Sequence, residues 1–121
     1  MPPPPGVELR AVTDRKGVAA LVSVHDAVFG GDHSALGDAL LADLTRQPGT
    51  AAAVVAVARQ TPVAAGRVEF HRGTEFASLW GGGTLTAWRR RGVFRSLVAY
   101  GAAVASARGF SYLRVDATAA R

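Results

Sequence analysis

The chain has 121 residues, 49% of them hydrophobic, which suits one domain with a sizeable apolar core. It contains no cysteine, which excludes disulfides, thiolate metal sites and cysteine nucleophiles. The net charge is +5, and every basic residue except Lys16 is arginine. No apolar run is long enough to span a membrane, and the first residues, "MPPPPG", lack the layout of a signal peptide. We predict a proline-rich tail over residues 1–6, one domain over 7–121, and a cytoplasmic location.

The sequence of the first half of the domain predicts one strand followed by two helices. Residues 7–12 alternate apolar and polar side chains, as a half-buried strand does. Asp14 is a helix-capping residue type, and apolar residues then recur at helical spacing as far as Phe29. Ser34 is the expected cap of a second helix, which should run to about Gln47 because Pro-Gly follows.

The second half predicts three strands, a helix and a last strand. The three strands should form an antiparallel meander over residues 51–59, 63–72 and 76–85. The third carries glycines at 81–83, and glycines inside a strand often mark a bulge or the close approach of a ligand. A helix is expected over 92–108 and a strand over 110–117. This order predicts an α/β fold, with a mixed sheet and helices on both faces.

A basic loop joins the fourth predicted strand to the third helix. It contains Gly92 and four arginines: Arg89, Arg90, Arg91 and Arg95. The first turn of a helix has unpaired amides and a partial positive charge, so a glycine-containing loop there favours phosphate binding. A solvated basic face is the alternative. Nucleic-acid binding is a third reading, which we do not expect because no helix-turn-helix or zinc site accompanies the arginines.

This loop resembles the signature of the GNAT acyltransferase superfamily, Arg/Gln-x-x-Gly-x-Gly/Ala. Arg89 and Gly92 match its first and fourth positions, whereas Phe94 stands where a small residue is usual. Some branches of the family are similar in having an aromatic residue followed by arginine, as in Phe94-Arg95. The order of elements also resembles the family over residues 7–118. The resemblance implies a GNAT-like mixed sheet.

The resemblance also implies a substrate and its binding residues. In the family the loop cradles the pyrophosphate of acetyl-CoA, and the end of the fourth strand pairs with the pantetheine arm. Carried over to this chain, the implied cofactor-binding residues are Thr84, Leu85, Thr86, Arg89, Arg90, Arg91, Gly92, Val93, Phe94 and Arg95. The implied reaction is direct transfer of an acetyl group from acetyl-CoA to an amine.

Family members continue with a fourth helix and two more strands, so the resemblance implies a C-terminally truncated domain. The fourth helix often supplies the tyrosine that protonates the leaving thiolate, and neither Tyr100 nor Tyr112 matches its position. The alternative function is therefore a catalytically inactive CoA-binding or dimerisation module. A homodimer, or a second chain that completes the sheet, would cover the edge of the last strand.

Acetyl transfer needs a group that takes a proton from the amine. Glu69 is a weak candidate for this base, since Arg67, Glu69 and His71 on one strand face are also typical of a solvated face. His25 lies on an otherwise apolar helix face and is expected to be a packing residue. We predict no metal site, because the three histidines lack ligand spacing.

Overall fold

The protein is described here from a computed structural model that covers residues 3–46 and 50–116. Its strands and helices follow the predicted order. They are β1 (Val7–Val12), α1 (Arg15–Phe29), α2 (Ser34–Leu44), β2 (Ala51–Ala58), β3 (Thr61–Phe70), β4 (Phe76–Thr84), α3 (Val93–Ala107) and β5 (Tyr112–Asp116). A short 3-10 turn over Thr86–Trp88, which the sequence did not predict, lies between β4 and α3.

The five strands form one mixed sheet in the order β1-β2-β3-β4-β5. The first four are antiparallel neighbours, and β5 lies parallel to β4. A parallel neighbour requires a crossover connection, which α3 provides. The predicted meander and the mixed α/β sheet are therefore confirmed.

The helices cover both faces of the sheet, as predicted. Alternate residues of β2 show this, because side chains in a strand point to opposite faces in turn. Ala53 and Val55 pack with α1 and α2 in one apolar cluster. Val54 and Ala56 pack in a second cluster that contains Val93 and Leu97 of α3. Every residue of β2 from position 53 to 58 is buried, since both of its faces are covered.

Two local predictions were wrong. The second strand of the meander was predicted to begin at residue 63, but β3 begins at Thr61, because Arg59 and Gln60 form the turn with φ of 49° and 68°. Positive φ at two central residues is what a two-residue hairpin requires. Ser34 is the first residue of α2 rather than its cap, and His33 holds the cap position without a side-chain hydrogen bond. By contrast, Asp14 caps α1 as predicted, because its side chain accepts from the Gly17 amide.

The glycine run of β4 forms a bulge. Gly66 of β3 pairs with Gly81, but Ala64, two residues back along β3, pairs with Thr84, three residues on along β4. One extra residue of β4 therefore lies between these pairs. A bulge bends the strand that carries it, and this one lies just before the basic loop begins.

Predicted segments near residues 47–49 and at 117–121 lie outside the described residues. They comprise the end of the second predicted helix and the end of the last predicted strand.

Candidate functional site

The N-terminus of α3 has amide groups without an acceptor. Gly92 caps the helix at φ 86°, a left-handed conformation that favours glycine, and no side chain caps it. The Ser96 amide bonds to the Gly92 carbonyl. The amides of Val93, Phe94 and Arg95 donate to no oxygen atom within the described part of the chain. These amides and the helix dipole give this end the properties of an anion site.

The basic loop borders an open cavity of about 660 Å³ next to these amides. The residues that line it are Thr84, Trp88, Arg89, Arg90, Arg91, Gly92, Phe94 and Arg95. The lining contains four guanidinium groups and no carboxylate. Within residues 3–46 and 50–116, none of these arginines has an ion-pair partner. Their charge is therefore available to a polyanionic ligand.

Contacts within the loop orient two of these arginines. Arg89 Nε donates to the Thr84 carbonyl over 3.1 Å, which ties the loop to the end of β4. The Arg91 guanidinium lies 4.9 Å from the centre of the Trp88 ring, within the range of a cation–π contact. Arg90 adopts φ 63°, an uncommon conformation for a residue with a side chain. The loop is therefore shaped by its own contacts.

The structure brings together seven of the ten predicted cofactor residues in this cavity. The other three are Leu85, Thr86 and Val93. Val93 is 1% exposed and belongs to the core beneath α3. The Leu85 amide donates to the Val63 carbonyl over 2.8 Å, so the β3–β4 pairing extends one residue past β4. Phe94, at the signature position where a small residue is usual, is 41% exposed and lines the cavity.

Glu69 lies in a different cleft. Its carboxylate is 3.6 Å from Arg67 Nε, and both side chains border a space of about 330 Å³ beside α2. Along β3, Glu69 is five residues from Ala64, the partner of Thr84, or about 17 Å at 3.3 Å per residue. The structure therefore does not bring Glu69 to the basic loop, and its role as a base stays a prediction.

A cluster of polar and aromatic side chains on α1 was not predicted as a site. His25 is 7% exposed, and its ring centre is 5.7 Å from that of Phe29 and 5.5 Å from that of His33. His33 Nδ1 lies 2.7 Å from an Asp26 carboxylate oxygen, which also accepts from the His33 amide. The signal in the sequence was the spacing of four between His25 and Phe29 on α1. His33 lies beyond the end of this helix and is brought back by the turn at Gly30-Gly31, which the spacing does not predict.

Burial lowers the pKa of His25 below its ordinary value of 6.5. Nearby positive charge on His33 and Arg67 lowers this pKa further, and the Asp26 carboxylate acts in the opposite direction. Burial and these two charges therefore favour the neutral imidazole. The expectation that His25 is packed is confirmed, but no hydrogen-bond partner for its ring nitrogens is found among the described residues.

No group of three or more His, Cys, Asp or Glu side chains among the described residues could hold a metal ion. None of the helices in residues 3–46 and 50–116 is both long and apolar enough to cross a bilayer.

Comparison by sequence with protein-family models and with curated proteins finds no match. Comparison of structures finds similar folds. An aminoglycoside acetyltransferase from an uncultured soil metagenomic sample, in complex with sisomicin, matches at a TM-score of 0.72 and 18% identity, over 93% of this chain and 78% of that one. A predicted acetyltransferase with acetyl-CoA from Clostridium acetobutylicum matches at a TM-score of 0.75 and 14% identity, over 92% of this chain and 80% of that one.

A ribosomal-protein-alanine N-acetyltransferase from Brucella melitensis also matches, at a TM-score of 0.71 and 14% identity, over 91% of this chain and 79% of that chain. These identities are low, so the comparison concerns the course of the backbone. With its sheet order, its bulged fourth strand and its basic loop before α3, this chain has the fold of the GNAT acetyltransferases.

Proposed function

We propose that the protein transfers an acetyl group from acetyl-CoA to an amine. The observation that carries this proposal is the uncapped N-terminus of α3, which opens onto a cavity with four arginines and no carboxylate. The CoA diphosphate fits this chemistry, because its oxygens can accept from the free amides while its charge is balanced by guanidinium groups. The acetyl-CoA and coenzyme A complexes of structural neighbours support the same ligand.

In this proposal each part of the site has a task. The amides of Val93, Phe94 and Arg95 and the arginine side chains bind the diphosphate and fix the position of the long donor molecule. The bulge at Gly81–Gly83 directs the end of β4 so that the pantetheine arm can lie along Thr84. The amine then attacks the thioester carbon, and alignment of the two reactants lowers the barrier. A cytoplasmic location is part of this proposal.

A second candidate is a CoA-binding module without turnover. It is favoured by the lining of the described cavity, which contains no His, Tyr, Asp or Glu side chain that could act as acid or base at the sulfur atom. The two candidates share the binding step and differ only in the chemical step.

Calorimetry with acetyl-CoA tests the binding step. Arg95→Gln should reduce affinity roughly ten-fold, because one charged hydrogen-bond donor is lost at the phosphates, and should reduce the dependence on salt. The matched control is Arg10→Gln on β1, where the side chain pairs with Glu8 at 2.7 Å and the strand is three positions from β4 in the sheet order. Equal affinities for both variants and the wild type would contradict a phosphate site at this loop.

Thiol release from acetyl-CoA over a panel of amines tests the chemical step. Release that depends on the amine supports the acetyltransferase. Tight acetyl-CoA binding without release, at any protein concentration, supports the binding module instead. A protein that binds neither acetyl-CoA nor CoA contradicts both candidates.

A further inference from the structure

His25 is 7% exposed and lies on the helix that packs on the bulge of β4. Its ring nitrogens are not among the fully buried unpaired atoms of the described residues, where the atom of this kind is Trp80 Nε1, so the imidazole keeps contact with solvent. The neighbouring residues of α1 and β4 show which part of the sheet the imidazole faces.

Two contacts locate His25 over the sheet. Three residues further along α1, Val28 packs on Gly83, since a Cβ at Gly83 would lie 2.6 Å from Val28 Cγ1. Residues three apart share a helix face, so His25 lies within about one helical turn, or 5.4 Å, of the residue above the bulge. Arg67, whose charge acts on His25, pairs across the sheet with Trp80, the residue before the glycines. His25 therefore lies over the segment between Trp80 and Gly83.

This segment is where the reacting end of the donor would lie. The diphosphate site is at the N-terminus of α3, and the strand leads back from it through Thr84 to the bulge. A pantetheine arm that follows this strand brings its thioester toward Gly81–Gly83. α1 approaches the same segment from the opposite face of the sheet to α3.

We propose that His25 is the base that takes the proton from the acceptor amine. This inference rests on the proposed acetyl transfer. The amine nitrogen bonds to the thioester carbon, His25 removes a proton from that nitrogen, and the C–S bond breaks with its electron pair going to sulfur. The thiolate then takes up a proton, so acetyl-CoA and the amine give an acetamide and the CoA thiol.

The surroundings of His25 suit this role. Burial lowers the pKa of His25 and so favours the neutral form, which can accept a proton. The charged and titratable groups that act on it are His33 and Arg67, which disfavour its protonated form, and Asp26, which favours it. Asp26 also holds His33 by two hydrogen bonds and so fixes the start of α2 beside the imidazole.

The test compares His25→Gln with His71→Gln, a histidine whose Nε2 lies 2.7 Å from Ser78 Oγ. With an amine that the wild type acetylates, kcat should fall by roughly 10²- to 10⁴-fold in His25→Gln, while the Kd of acetyl-CoA stays unchanged. In the wild type kcat/KM should fall as pH drops through a value below about 6.5, which gives the pH profile an acid limb. This acid limb should be absent from the profile of His25→Gln. His71→Gln should keep both rate and profile.

Two further measurements do not depend on the stability of His25→Gln. Added imidazole should restore turnover to His25→Ala, because it can occupy the space left by the ring. In the wild type, the pKa of His25 measured by NMR titration should change when acetyl-CoA binds. A retained acid limb in His25→Gln, or a His25 titration that acetyl-CoA leaves unchanged, would overturn the role of His25 alone. A wild type that binds acetyl-CoA but releases no thiol with any amine would overturn the acetyl transfer, and this inference with it.

Discussion

Val28 of α1 occupies the space that a side chain at position 83 would need. A Cβ on Gly83 would approach Val28 Cγ1 to 2.6 Å, and the φ of Gly83 is 92°. Position 83 is therefore restricted to glycine for two independent reasons, the backbone conformation and the close approach of the helix. This contact couples the helix that carries His25 to the strand that leads to the basic loop.

Gly83→Ala should destabilise the fold by about 2–4 kcal/mol, since backbone strain and overpacking each contribute about 1–3 kcal/mol. Urea unfolding measures the change. Gly73→Ala is the matched control, because Gly73 has a φ of 79° with no atom within 4 Å of the added Cβ, so only the strain is introduced. Val28→Ala should recover part of the loss in Gly83→Ala. Equal losses in both glycine variants would contradict the packing argument.

Gly92→Val should weaken acetyl-CoA binding by about 1–3 kcal/mol, through strain and the displacement of the amides of α3. The change would be measured by calorimetry. Gly109, after the other end of α3, has a similar φ of 87° and equally open surroundings. Gly109→Val should therefore lose stability to a similar extent while its affinity for acetyl-CoA stays unchanged. Unchanged affinity in Gly92→Val would remove the helix N-terminus from the proposed site.

Asp43 should make the protein sensitive to acid. Burial alone would raise its pKa, but the hydrogen bonds that it accepts from Thr50 and Ala51, together with Arg46, outweigh burial and hold the pKa below its ordinary value. A pKa lowered by folding contributes stability above the unfolded value of about 3.9, and this contribution is lost as pH falls through the folded pKa. Urea unfolding should thus show a loss of stability below about pH 4.

Asp43→Asn should remove part of this acid dependence. At pH 7 it should lose about 1–3 kcal/mol, because donors of Thr50 and Ala51 are left without a carboxylate. Asp38→Asn on the exposed side of α2 is the control and should leave the pH profile as in the wild type. An identical acid profile in Asp43→Asn would show that other groups govern acid unfolding.

The 121-residue chain should self-associate through the β5 side of the sheet. Phe76 and Tyr112 stack there with ring centres 5.1 Å apart and are 52% and 56% exposed. No strand in the described part of the chain pairs with the outer edge of β5, and unpaired edges favour association.

Sedimentation over a range of concentrations should show association, and Tyr112→Lys should weaken it because a charge is placed on the edge. Phe29→Lys, at a residue of similar exposure on α1, is the control for the added charge. A monomer at all concentrations would contradict this prediction.

Much of the architecture follows from local patterns in the sequence. Three features depend only on neighbours within a few residues and could therefore be predicted from the sequence. They are the alternation over residues 7–12, the helical spacing up to Phe29 and the arginine-glycine loop before α3. The strand boundaries differ from the predicted ones where the backbone adopts a rarer conformation. The two positive-φ residues at Arg59-Gln60 are the example, since neither is a residue type that signals such a turn.

The order of the elements, the basic loop and its position at the start of α3 follow from the sequence alone, because residues adjacent in the chain set them. Which side chains meet around the site depends on how the helices pack on the sheet. Glu69 lies on β3, about 17 Å along the strand from the partner of Thr84, whereas His25 lies on α1, which packs on the β4 bulge. The position of His25 arises from the docking of α1 on β4 through Val28 and Gly83, a contact across more than fifty residues that no local pattern encodes.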